Sequence, residues 1–357
     1  MSTSYLFAAL LTLAMVRVTL LPLAAQPRAS SFSAFPILNY GSDTGFGFGG
    51  KGLLKNRLRH EESFDFILFA STKGEQWYAF SFALPDPEIR QGRRYVVAYD
   101  VKLEYDKMLR SNFFGIGNNS RDNAWQFPKE FFKIECAASH AFSARLIGEL
   151  SYRFVHYSVY GFDPNWGTLT SATPGTGEHN VSGISLRLRW DTRDSSIHPR
   201  RGWRAFFSTE FASRVLGSTW DFKKYRLEAN TYFALRRDHI LAARVWAQHL
   251  TGAAPYVELS KIGDSWTARG YKADRFLDAA ATLTSLEYRY PIFRKLGGVL
   301  FVDAGHVWPT LVKLSFDNWH ANWGVGARYY LANFVVRFDA GFSTEGTRLF
   351  FQFGHVF

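Results

Sequence analysis

The residues with the clearest chemical potential lie in the last third of the chain. Arg269 belongs to Trp266-Thr267-Ala268-Arg269-Gly270-Tyr271, within a long patternless stretch between Gly252 and Ala280. The segment Ser285-Leu286-Glu287-Tyr288-Arg289-Tyr290-Pro291 alternates, so Leu286, Tyr288 and Tyr290 share one face while Glu287 and Arg289 share the other. The same rule puts Asp303 of Leu300-Phe301-Val302-Asp303-Ala304-Gly305 on the charged side. It also turns Arg328 that way, beside Gly324 and Gly326. A guanidinium fork matches a carboxylate with two parallel hydrogen bonds, so a loop that folds back could be pinned through Arg269 to Asp303 or Glu287. Two outcomes stay open at this stage. A wet, exposed pair contributes about 0 to 1 kcal/mol. In a desolvated pair, losing one partner costs about 3 to 5 kcal/mol.

Other chemistries find little support. Gly47-Phe48-Gly49-Gly50-Lys51-Gly52 has the spacing of a dinucleotide loop but lacks the preceding buried parallel strand and the following helix. Those glycines read better as a strand whose bare side lets another segment approach closely. There is no G-x-S-x-G, no H-E-x-x-H and no spaced carboxylate-histidine set, so no enzyme is expected and no catalytic residue, cofactor or metal is assigned. The histidines are scattered, and His306 and His355 fall on the outward apolar parity near strand ends. Cys136 is the single cysteine, which excludes an intramolecular disulfide and any multi-cysteine metal or redox motif. The net charge of +11 is spread singly along the chain, so nucleic acid is not an expected partner. That spread suits an inward strand face or contact with anionic lipid head groups.

The elements that would position these residues are strands. Aromatic residues make up 17% of the chain, yet mean hydropathy is only −0.15, and past the N-terminus no apolar run is long enough for a membrane helix. Transmembrane strands need about 9 to 11 residues each with one apolar face, which fits that mixture. From Phe35 onward the pattern has period two. Tyr95, Val97, Tyr99, Val101, Leu103 and Tyr105 oppose Arg94, Asp100, Lys102 and Glu104; Ile184, Leu186, Leu188 and Trp190 oppose Ser185, Arg187, Arg189 and Asp191. About sixteen such segments begin near residues 35, 45, 63, 76, 93, 130, 144, 182, 201, 222, 239, 281, 297, 320, 334 and 347. Connections after even-numbered strands are mostly tight, as at Phe142-Ser143, Arg236-Arg237-Asp238 and Ala332-Asn333. Several after odd-numbered strands are long: Lys107 to Lys129, Gly161 to Asn180 and Gly252 to Ala280. An even strand count with unequal rims predicts an all-β fold, a transmembrane antiparallel up-and-down barrel of about 16 strands whose closure leaves no unpaired edge in lipid. The first 25 residues, with an apolar stretch from Tyr5 to Val16, predict a signal peptide. The barrel then occupies 26–357, with an inward-folding loop at 253–280.

Taken together, Arg269-Gly270-Tyr271 on its long loop, Phe301-x-Asp303-x-Gly305, Gly324-x-Gly326-x-Arg328 and the final Phe357 resemble the BamA/TamA superfamily of outer-membrane assembly and translocation barrels. Asp191-Thr192-Arg193-Asp194, followed by Pro199 and Arg201-Gly202-Trp203, is similar to that family's mid-barrel periplasmic turn. The resemblance covers residues 35 to 357. It implies a bacterial outer-membrane location, a sixteen-stranded barrel, and the Arg269 loop tucked into the lumen against Asp303 and Glu287. Members that insert or secrete proteins normally carry POTRA domains ahead of the barrel. Only about ten residues separate the expected signal from the first strand, so the likeness is to barrel-only members.

The last strand reads outward Leu349, Phe351, Phe353, His355 and Phe357 and resembles the signal by which assembly machinery recognises client barrels. Its seam with the first strand is expected to be weak, because that strand is short, contains Pro36 and runs into Gly41 and Gly45. The leading functional expectation is assembly, insertion or translocation through that seam and a loop-gated lumen. The alternatives are a passive anion-favouring pore or structural envelope barrel, and a lipid-modifying enzyme. Expected partners are outer-membrane lipid and lipopolysaccharide, the assembly machinery that would treat this chain as a client, and a periplasmic or lipoprotein partner replacing the POTRA domains.

Overall fold

The alternation of apolar and polar residues folds as strands throughout, because each strand can offer a greasy face to one medium and a charged face to another. A computed structural model describes residues 29–41, 45–161, 173–236, 238–331 and 335–357. The expected signal segment 1–25, residues 162–172 of the Gly161–Asn180 loop and the turn residues Arg237 and Ala332-Asn333 lie outside the described residues. In chain order the strands are β1 (Ser31–Gly41), β2 (Gly45–Lys55), β3 (Ser63–Ser71), β4 (Gln76–Leu84), β5 (Ala98–Phe113) and β6 (Trp125–Ala141). Next come β7 (Leu146–Val159), β8 (Gly177–Asp191), β9 (Gly202–Ala212), β10 (Phe222–Arg236), β11 (His239–Gly252), β12 (Ser260–Ile262) and β13 (Phe276–Asp278). The chain ends with β14 (Ala280–Phe293), β15 (Leu296–Trp308), β16 (His320–Tyr330), β17 (Val335–Ser343) and β18 (Gly346–Phe353).

Sixteen of these strands close into one antiparallel barrel in sequence order, with β11 pairing directly to β14, while β12 and β13 form a separate hairpin. The fold expected from the sequence is therefore the fold observed. The inversion of a membrane barrel is equally clear. Leu186, Leu188, Phe207, Leu227, Leu286, Leu300, Val302 and Trp323 are exposed on the outer face, whereas Glu287, Arg289, Asp303 and Arg328 are buried inside.

Three expectations need correction. Tyr95 and Val97 precede β5 rather than belonging to it, in a connection that also holds a short helix, α1 (Pro87–Arg90), capped by Asp86 accepting from the Glu88 N–H at 2.8 Å. The connections after even-numbered strands are thus not uniformly tight: residues 85–97 and 192–201 are both extended. The first strand is not short either. It begins at Ser31 and pairs with β2 over its whole length, Pro36 lying opposite Gly50. Its weakness lies on the other side, where among the described residues β1 meets β18 only at Tyr40↔Phe351 and Gly41↔Phe350.

Candidate functional site

Residues 253–279 link β11 to β14 and fold back into the barrel. The β12–β13 hairpin, paired from Ser260↔Asp278 to Ile262↔Phe276, stiffens the base of this loop. Ile262, Ala268, Tyr271 and Phe276 from the loop bury against Trp246, Ala281, Leu283 and Val307 of the wall. That apolar contact excludes water from the neighbouring charges. Wall arginines hold the tip by its backbone: Arg244 donates to the Trp266 carbonyl at 2.8 Å and Arg337 to the Ser265 carbonyl at 3.0 Å. Tyr271 donates its hydroxyl to the Ala321 carbonyl at 3.1 Å, and the Gly270 carbonyl accepts from Ser343 Oγ at 2.7 Å.

Arg269 lies at the centre. Its Nε and Nη2 donate to the two oxygens of Asp303 at 2.9 and 2.8 Å, and its Nη1 donates to Glu287 at 2.5 Å. The guanidinium lies 3.6 Å from the centroid of the Phe301 ring. All of Arg269, Glu287 and Asp303 are 0% exposed, so of the two outcomes left open by the sequence the dry one is realised. Arg289 donates to Glu287 at 2.9 Å, and Asn322 donates to Asp303 at 3.0 Å. Room for the loop comes from missing side chains. A Cβ on Gly341 would sit 2.2 Å from the Arg269 carbonyl oxygen, and one on Gly324 would sit 2.2 Å from the Phe301 ring.

The structure brings Arg269, Gly270, Tyr271, Glu287, Asp303 and Arg328 into one cluster. It adds Asp339 and Arg337 of β17. Arg328 donates to Asp339 at 2.5 Å, and Arg337 lies 3.4 Å from the other oxygen of Asp339. The signal for these two was present in the alternation Val335-Val336-Arg337-Phe338-Asp339, which turns both inward by the rule already applied to Glu287.

The turn between β8 and β9 is held by Asp191, Arg193, Asp194 and Gly202. Arg193 forks onto Asp191 at 3.0 and 2.8 Å, and Asp194 accepts from the Arg200 and Arg201 N–H groups at 2.9 and 3.3 Å. Gly202 adopts φ +95 where the chain re-enters the sheet. The turn reaches across the mouth, His198 Nε2 lying 3.0 Å from the Leu331 carbonyl and Gln91 accepting from the Ser196 N–H at 3.0 Å.

The C-terminal strand departs from expectation. Phe351 and Phe353 lie in β18, but Gly354 takes φ +85 and ends the strand. His355 therefore turns inward to within 5.9 Å of the Tyr330 ring and 6.2 Å of His198. Phe357 follows it into the lumen, its carbonyl accepting from Arg289 at 3.2 Å and its ring lying 5.6 Å from that guanidinium. Outward parity fails for both because one left-handed residue breaks the alternation. His306 keeps the outward parity yet is covered by Trp308, with ring centroids 4.2 Å apart.

An Omp85 superfamily domain matches residues 62–355, which is most of the chain and includes every residue of the ion cluster. The chain belongs to the Omp85 superfamily. Among curated relatives, the outer membrane protein assembly factor BamA of Nitratidesulfovibrio vulgaris is 26% identical over 195 residues, covering 48% of this chain and 24% of that protein. This Omp85 chain thus spans about a quarter of the length of that relative. Its barrel is similar to BamA from Haemophilus ducreyi lacking POTRA domains 1–3, at 13% identity and a TM-score of 0.64, covering 91% of this chain and 70% of that one. CdiB from Escherichia coli matches with a TM-score of 0.63 at 13% identity, over 93% of this chain and 63% of CdiB. At such identity these likenesses speak for the fold. Family and fold together make this Omp85 barrel a bacterial outer-membrane protein.

Proposed function

We propose that this Omp85 barrel inserts or translocates polypeptide at the outer membrane by parting β1 from β18, while the Arg269 loop stays pinned as a gate in the lumen. One observation carries the reading: among the described residues, two pairs close the barrel at β1–β18, against eight between β17 and β18 and eleven between β1 and β2. Each missing pair removes ladder hydrogen bonds, so this junction is the least costly place to open. The curated relative whose name speaks of assembly supports the same direction. Outer-membrane lipid, lipopolysaccharide and a periplasmic or lipoprotein partner are the companions this reading needs.

The test is a disulfide across the seam, Tyr40→Cys with Phe351→Cys in a Cys136→Ser background. Proteoliposomes carrying it are scored for protease-protected folding of an unfolded client barrel. The oxidised form should lose activity and the reduced form recover it; a barrel locked shut yet fully active would end the proposal. The arginine-rich lumen wall favours a second reading, a passive anion-favouring pore. That reading expects anion-selective conductance in planar bilayers, unchanged by the lock.

A further inference from the structure

The wall formed by β8 to β11 carries a second concentration of charge, away from the Arg269 cluster. The strand registers place Arg189 of β8 opposite Phe206 of β9, and Phe206 opposite Glu228 of β10. Around that ring, the guanidinium carbons of Arg187, Arg204 and Arg226 each lie 5.5 Å from the centroid. No two of them are therefore more than 11 Å apart, twice that distance. Like charges so close repel unless something neutralises them.

The carboxylates facing this wall are largely engaged. Glu149 pairs with Arg187 at 2.9 Å, Asp191 with Arg193 at 2.8 Å, and Glu210 with Arg153 at 2.5 Å. Glu228 is shared between Arg226 and Arg244, at 3.4 Å from each. Among the described residues, Arg189 and Arg204 have no carboxylate within ion-pair distance. The Nε–H groups of Arg187, Arg189, Arg204 and Arg226 are buried and donate to no acceptor among the described residues. Beside them, between this wall and the inward loop, lies a cavity of about 330 Å³ lined by Lys224, Arg226, Arg244 and Lys261. Of its two acidic lining residues, Glu258 is held by Arg153 at 2.9 Å and by Lys224, and Asp264 accepts from the Trp266 and Thr267 N–H groups at 2.7 Å each.

We propose that the lumen wall around Phe206 is a binding site for a phosphoryl group, gripped by Arg189 and Arg204 with Arg187 and Arg226 flanking. A dianionic tetrahedral group presents three acceptor oxygens and two charges and can engage several guanidinium forks at once, whereas a carboxylate presents two oxygens and one charge. An acidic polypeptide would need a basic stripe along the wall. Here Asp191, Glu210 and Glu228 interrupt any such stripe, and the guanidinium groups of Arg187, Arg204 and Arg226 are gathered around the single Phe206 ring. The site reads independently of the seam, so it can fail while the insertion proposal stands.

The phosphoryl group could arrive as free phosphate or on a lipid head group, and one titration series separates the two. The full chain, purified in neutral detergent at low ionic strength, is titrated calorimetrically with inorganic phosphate and, separately, with glycerol 3-phosphate. One-to-one binding is expected, and Arg189→Gln with Arg204→Gln should weaken it at least about tenfold, or about 1.4 kcal/mol. Arg200→Gln, which removes a surface pair to Asp238 at 3.0 Å, should leave it unchanged. Arg204→Lys keeps the charge but not the fork and should fall between, which guards against misfolding of the double variant. Tighter binding of glycerol 3-phosphate assigns the site to a lipid head group, and equal binding assigns it to free phosphate. Absent binding of both probes, or equal affinity in the wild type and the Gln and Lys variants, would overturn the proposal.

Discussion

The two sides of this barrel are closed by different physics. From β14 to β17, a loop is clamped into the wall by Arg269, with Glu287, Asp303 and Asp339 around it and every charge out of water. At the seam, two pairs among the described residues do the closing. A buried ionic cluster tolerates no half-measures, since each charge left behind by the loss of its partner is costly, whereas a short ladder can part and re-form cheaply. The contrast teaches that rigidity in this fold has been concentrated away from the place where the ring is joined.

The largest way to break that contrast is Arg269→Ala. Asp303 would keep only Asn322 and the backbone N–H of residue 269 as partners and no cation, and the barrel should lose about 3 to 5 kcal/mol, read as a lower midpoint in denaturant titration of heat-modifiable gel migration. A loss under about 1 kcal/mol would mean the cluster behaves as a wet pair. The seam side has one tightly held charge of its own, Glu62 in the turn between β2 and β3. It accepts from the Leu58 and His60 N–H groups at 2.5 and 3.0 Å. Burial pushes its pKa up, but the backbone N–H groups of Leu58, Glu62 and His60 outweigh that push and hold it below the usual carboxylate range. Its contribution should therefore be complete above about pH 4.3 and fade as pH falls through the depressed value. Glu62→Gln should cost about 1.5 kcal/mol at neutral pH and flatten the acid limb of a stability-against-pH curve; an unchanged limb would place that limb elsewhere. The smallest effect is expected from Phe351→Ala at the seam, about 0.2 to 1 kcal/mol as for a single cross-strand pair. A larger loss would mean the seam is not the soft side.

Much of this was legible in the sequence, because period two assigns each side chain to lipid or lumen with no further information. That rule alone carried Glu287, Asp303 and Arg328 inward, and Arg337 and Asp339 were within its reach. What escaped it were places where the backbone leaves the strand. Gly354 diverts His355 and Phe357, and Asp86 starts a helix at Pro87, where alternation had suggested that the next strand was close at hand. The dryness of the Arg269 pair also escaped, since it depends on Ile262, Tyr271 and Phe276 packing across the lumen, a contact that no local pattern encodes.

The turn between β8 and β9 has a mechanical consequence. By touching Gln91 near β4 on one side and Leu331 beside β16 on the other, it acts as a brace thrown across a hoop, stiffening the arcs it subtends against ovalisation. Among the described residues this turn makes no hydrogen bond to β17, β18 or β1, and it meets the chain beyond β18 through His198 against His355, 6.2 Å between ring centroids, so the brace spares the arc that contains the joint its polar ties.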